Sequence, residues 1–93
     1  MTNQEIQLPS LTMEHAIDVA RRHLVENGID VSARFLTQAR WDSMPYQEKC
    51  CWFLQWMTEE QFKERQMHPQ MRGGGYLCVQ VFDESWVEHS FAR

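Results

Sequence analysis

The chain has no run of about 18 apolar residues anywhere, so no segment reads as a membrane-spanning helix. Met1 to Pro9 carries no basic stretch followed by an apolar one, so the expectation is a protein without a secretory signal, at work in the cytoplasm. Cysteines are few: Cys50, Cys51 and Cys78 make an odd set, with none of the spacings of a disulfide framework or a zinc site. They are expected to be reduced and packed as small hydrophobic groups. Basic residues are also in deficit. Nine Lys and Arg stand against 13 Asp and Glu, and the resulting formal charge of -4 opposes the attraction to phosphate on which most nucleic-acid binders depend. A basic or neutral macromolecular partner is expected in place of sequence-specific nucleic acid. Arg34 and Arg40, on one strand, are the local exception.

Apolar side chains are plentiful. At 93 residues with 43% hydrophobic and 12% aromatic content, the chain suits one ordered domain, a monomer or small oligomer. Its hydrophobic rhythm changes at Asn27-Gly28. Before that point Met13, Ala16, Ile17, Ala20 and Leu24 recur at helical spacing, which predicts a helix over Met13 to Glu26. Thr12 is its N-cap and Glu14 complements the dipole. Gly28 offers the left-handed stop, with Ile29 folding back as the hydrophobic contact of a Schellman motif.

Beyond the stop, Val31 to Trp41 alternates with period two, broken only at Leu36 and Thr37, and reads as a half-buried antiparallel strand. Pro45 and polar neighbours mark Asp42 to Lys49 as a loop. Cys50 to Met57 reads as a second strand, apolar enough to be central. Thr58 and Gln61 form a capping box and Met57 and Phe62 a hydrophobic staple, so a short helix is expected over Thr58 to Met67. Gly73 to Gly75 is a turn into a strand over Tyr76 to Phe82. A hairpin turn at Asp83 to Ser85 then leads to a last strand, Trp86 to Ala92. Glu5 to Leu8 has the composition of a short edge strand. The fold class that follows is α+β: one main helix on an antiparallel sheet of three to four strands, with a second short helix inserted between strands.

Motifs with chemistry are weak. The triple glycine precedes a strand and lacks the Lys-Ser/Thr of a phosphate loop. Cys51 or Cys78 with His89 is the minimal set for a cysteine hydrolase, and Cys50, Cys51, His68 and His89 for a metal site, but adjacent cysteines on a strand point to opposite faces. No catalytic residue, cofactor or metal is expected. A richer grouping lies on the sheet. With Phe35, Ala39 and Trp41 turned inward, Arg34, Leu36, Gln38 and Arg40 face outward, joined by Phe53, Gln55, Tyr76, Gln80 and Phe82. Arg and aromatic groups are over-represented at interface hot spots, so this face is expected to bind a protein. Alternatively the Thr58 helix covers it as core, or a second subunit does so in a homodimer. Acidic side chains at Glu59, Glu60 and Glu64, and at Asp83, Glu84 and Glu88, offer steering toward a basic partner.

Thr12 before an Ala-rich helix, Asn27-Gly28 after it, and the segments Trp52 to Met57 and Val79 to Asp83 give the chain an order that resembles small cystatin-like or PepSY-like α+β domains. Here the segments correspond to an aromatic strand and a final hairpin, across about Leu11 to Ala92. Domains of this look include bacterial immunity proteins and other non-enzymatic inhibitors, and small acidic phage anti-defence proteins, anti-CRISPR proteins among them, share the size and charge. The resemblance implies a non-catalytic inhibitor that blocks a functional surface of a larger protein or nucleoprotein complex. Two alternatives stand beside it: a small-ligand site between the Met13 to Leu24 face and Trp41, Trp52 and Trp56, and a cysteine-dependent enzyme.

Overall fold

The computed structural model describes residues 8–42, 50–68 and 75–91. Within them the order is α1 (Met13–Glu26), β1 (Arg34–Asp42), β2 (Cys51–Thr58), α2 (Glu59–Met67), β3 (Leu77–Asp83) and β4 (Trp86–Phe91). The strands form one antiparallel sheet in the order β1-β2-β3-β4. The α+β class with a helix before the sheet and a second between strands is therefore observed. Glu5 to Gln7, the loop over 43–49, and Gly73 and Gly74 fall outside the described residues.

Local chemistry sets the ends of α1. The Thr12 hydroxyl accepts from the His15 amide at 3.1 Å, answering one of the orphan donors of the first turn. At the other end Gly28 adopts φ +72°. Its amide donates to the Val25 carbonyl at 3.0 Å, and the Ile29 amide reaches back to Leu24 at 2.8 Å, the two bonds of a Schellman motif. Ile29 then packs against the core. The second helix is started by the capping box, with Thr58 and Gln61 exchanging side-chain to backbone bonds at 3.0 and 3.1 Å.

The face of α1 is rotated slightly from the sequence expectation. Ala16, Val19, Ala20 and Leu24 are buried, whereas Met13 is 43% exposed and Ile17 only flanks the core. Val19 takes the place assigned to Met13 because the stripe continues toward β4. Ala16 and Ala20, both fully buried, let the helix backbone come close to the strands, where Leu54 and Trp56 from β2 and Leu77, Val79 and Val81 from β3 complete the core. Each large side chain in that layer contributes about 1.5–3 kcal/mol through removal from water.

A bulge sets the phase of β1. The β1–β2 register shifts between Leu36 and Gln38, leaving Thr37 as the extra residue, its hydroxyl donating to the Gln55 carbonyl at 3.2 Å. Ahead of the bulge Leu36 lies opposite Trp56 and packs on the core, while Phe35 lies opposite Met57 and is 58% exposed. The expected orientations of Phe35 and Leu36 are thus reversed, since one inserted residue exchanges the faces of everything before it.

Two substitutions test this account in urea unfolding. Leu54→Ala is expected to cost about 2–5 kcal/mol by opening a cavity in the layer under α1. Gly28→Ala meets no atom within 4 Å, so its cost is the backbone penalty alone, about 1 kcal/mol. An unchanged midpoint for Gly28→Ala would remove the C-cap from the account.

Candidate functional site

The sheet face away from α1 is assembled from alternate residues of all four strands. Phe35, Gln38, Arg40 and Asp42 come from β1; Cys51, Phe53, Gln55 and Met57 from β2; Cys78, Gln80 and Phe82 from β3; and Trp86, Glu88 and Ser90 from β4. Between the register shifts at Leu36/Gln38 and Val81/Asp83 the pairing is unbroken, and there these side chains form rows across the sheet. Arg40 is opposite Phe53, Phe53 opposite Gln80, and Gln80 opposite Glu88. The neighbouring row runs Gln38, Gln55, Cys78, Ser90.

Several of these groups hold one another in place. The Arg40 guanidinium lies 4.5 Å from the centre of the Phe53 ring, a cation–π contact, with Asp42 3.9 Å to its side. Phe82 and Trp86 stack at 4.2 Å, and the Trp86 indole donates to Glu88 at 2.7 Å. The second helix does not lie over this face as core, for none of its residues is buried and Phe62 is 45% exposed. On the face itself Cys51, Met57 and Cys78 are buried, Phe53, Gln55 and Gln80 are half-buried, and Phe35, Arg40, Trp86 and Glu88 are exposed.

Of the side chains expected on it, Gln38, Arg40, Phe53, Gln55, Gln80 and Phe82 are there. Leu36 is in the core layer, for the reason given by the bulge. Arg34 is also on the helix side, opposite Thr58, with its guanidinium 5.7 Å from the Phe91 ring. Tyr76 is buried at 6% exposure and presents little to a partner. Glu59 and Glu60 are exposed in the first turn of α2, and Glu59 pairs with Lys63 at 3.2 Å. Sequence alternation missed Phe35, Trp86 and Glu88 as members of the aromatic and Arg cluster. The bulge at Thr37 sets the face of Phe35, and the register of β4 against β3 sets the place of Trp86 and Glu88.

The thiols of this face are poor nucleophiles. Cys51 and Cys78 are buried, and burial, the largest cause in each case, pushes both thiols up from their ordinary pKa, with the Asp42 charge adding to the effect at Cys51. His89 lies on the opposite side of the sheet, level with Val79 and turned to α1, so the Cys–His pairing considered from sequence is not assembled. Among the described residues no three His, Cys, Asp or Glu side chains converge as a metal site. The aromatic group proposed to line a ligand pocket is packed. Trp56 is buried, Trp41 and Trp52 meet edge to face at 5.6 Å, and the Trp52 indole donates to the Leu11 carbonyl.

A shallow groove of about 280 Å³ instead follows the β4 edge, between Val19, Arg22, His23 and Glu26 of α1 and Glu84, Ser85 and Val87. At one end His15 Nε2 is 2.9 Å from Glu84 Oε1. At the other His23 Nε2 and His89 Nδ1 are 2.8 Å apart, a bond that requires one neutral ring as acceptor. Comparisons with protein families, curated proteins and solved structures find no match for this chain.

Burial first, and then the neighbouring His89, lower the His23 pKa from its ordinary 6.5, against a smaller opposing effect of Glu26. Folding thus disfavours the protonated ring. Stability from this pair is complete above about 6.5 and declines as pH falls through that value toward the lower folded one. Proton NMR of the imidazole signals should show His23 titrating below its ordinary value, and moving back up in His89→Ala. A His23 midpoint that stays in place in His89→Ala would exclude the pairing.

Proposed function

We propose that this chain is a non-catalytic binding protein that inhibits a larger protein or nucleoprotein complex by laying the open face of its sheet on a functional surface of that partner. The observation that carries the reading is the cluster of Arg40, Phe53, Phe82 and Trp86, side chains fixed by mutual contacts on a face that α2 leaves bare. Restrained aromatic and Arg groups lose little further freedom on binding and suit the centre of an interface. Acidic side chains accompany this centre: Glu88 lies beside Trp86, and Glu59 and Glu60 are exposed on α2, whereas Glu84 is turned to His15 of α1. A partner with an apolar patch inside a basic rim is the complement, as on proteins that handle nucleic acids. Size, charge and the general resemblance to immunity and anti-defence inhibitors support the same reading.

A photo-crosslinking residue tests where contact occurs. Placed at Phe35 or Phe53 in cells of the native host, it should give an adduct with one discrete large protein, whereas placement at the exposed Asp18 on α1 should give none. Against that purified protein, Phe53→Ala should weaken binding about 10- to 30-fold, the loss of one hot-spot anchor. Adducts formed equally from Asp18, or undiminished affinity in Phe53→Ala, would overturn the proposal.

A further inference from the structure

We infer that in the absence of a foreign partner the open face docks on a second copy of this chain, with a two-fold axis parallel to the strands that sets Arg40 of each copy against Glu88 of the other. The first ground is the composition of β2. Cys51, Trp52, Phe53, Leu54, Trp56 and Met57 make a nearly continuous apolar run, the pattern of a strand covered on both faces. In one copy of the chain only the Trp52, Leu54 and Trp56 side is covered by α1. On the other side Cys51 and Met57 of β2 and Cys78 of β3 are buried among their neighbours, Phe53 is half-buried, and the exposed apolar area lies at Phe35, 58% exposed, and Trp86, 36% exposed.

The second ground is the order of charges. Among the described residues the face carries Arg40 and Asp42 on one edge strand and Glu88 on the opposite one, with Asp83 level with Trp86 at the end of β3. The Arg40 to Glu88 row runs straight across the sheet through Phe53 and Gln80. Two copies stacked face to face can be related by a two-fold axis along the rows or along the strands. An axis along the rows places Arg40 over Arg40 and Glu88 over Glu88. An axis along the strands, between Phe53 and Gln80, brings β1 of one copy over β4 of the other, so each Arg40 meets a Glu88. It also lays each Phe53 against the partner copy's Gln80 row position. The interface is isologous and closes at two copies, with both charge pairs formed by the same rotation.

The area suffices for a weak dimer. Four strands about 4.8 Å apart and about seven residues long give a footprint of roughly 19 by 24 Å, or about 900 Å² over the two copies before side-chain relief is added. That lies just below the roughly 1,000 Å² expected of a stable specific interface, in the range of weak, transient association. Sheets packed this way sit about 10 Å apart at a small angle, a spacing that Phe35, Phe53, Phe82 and Trp86 can fill from both sides.

The inference concerns the geometry of the face and does not depend on the identity of a foreign partner, so the two fail separately. The test is sedimentation equilibrium of the full chain at low salt. The unaltered protein should approach twice the monomer mass at about 100 µM. Arg40→Glu alone and Glu88→Arg alone should each weaken association at least tenfold, since each sets like charges opposite one another in both pairs. An equimolar mixture of the two variants should regain the dimer, as every pair is then of opposite sign, and so should the doubly substituted chain. Circular dichroism of each variant before mixing verifies the fold, and both positions are exposed. A monomer throughout, single reversals that associate as well as the unaltered chain, or a mixture that stays monomeric would each overturn the inference. None of these results would alter the cross-linking outcome for a foreign partner.

Discussion

One helix cannot cover both faces of a sheet, and the rest of the molecule follows from how α1 covers one. Ala16 and Ala20 have no side chain beyond Cβ, so α1 settles close to β2 and β3, and Val19 and Leu24 fill the space to either side. That close approach buries Leu54, Trp56, Leu77, Val79 and Val81 completely or nearly so. The second helix has no apolar stripe with which to do the same on the reverse side. Its exposed Glu59, Glu60, Lys63, Glu64 and Arg65 keep it in water, and its capping box ties it to the end of β2. A bare sheet face is thus a consequence of the polarity of α2 as much as of the grip of α1.

The elements whose signals are local were legible from residues alone. Thr12, Asn27-Gly28 and the Thr58–Gln61 box act over three to six residues, and each does in the structure what its chemistry implies. The α1 helix therefore has the expected limits of Met13 and Glu26. Strand ends moved by one to three residues, as with β1 beginning at Arg34 in place of Val31, because the turn at Ser32 and Ala33 is governed by the Asp30 carboxylate, which accepts from the Ser32 amide and hydroxyl. What alternation alone did not yield was facing. A bulge at Thr37 adds one residue, and its presence depends on where β2 sits, which no local signal encodes. For that reason Arg34 and Leu36 left the proposed surface and Phe35 entered it. Glu88 and Trp86 were hidden for a related reason: they join the surface only once the register of β4 against β3 is known.

The proposed self-association and the proposed capture of a larger partner would use the same side chains, and their coexistence would have a simple thermodynamic form. A sticky face left in water invites indiscriminate contact, a hazard that a weak reciprocal pairing removes. A weak dimer of the proposed kind would leave chains at low concentration mostly free, so the competing equilibrium would barely reduce apparent affinity for a partner. At higher concentration the paired form would act as a reservoir, released by mass action as partner consumed monomer. In the proposed dimer Arg40 and Glu88 face one another across the two-fold axis.

The mutual contacts of these side chains are what favours the proposed binding role. Arg40 is held over Phe53 by its own ring contact, and Asp42 restrains it from the side. Trp86 is fixed by Phe82 beneath it and by Glu88 at its indole nitrogen. Freezing such side chains before contact removes part of the entropic cost of association, about 0.5–1.5 kcal/mol for each flexible group already ordered. The same crowding works against reactivity. Cys51 and Cys78 are sunk between these larger neighbours, where burial favours the protonated thiol, and the imidazole of His89 is on the far side of the sheet. In the proposed binding role the ordered large groups of this face would offer shape and charge to a partner, while the sheet holds its buried thiols apart from His89.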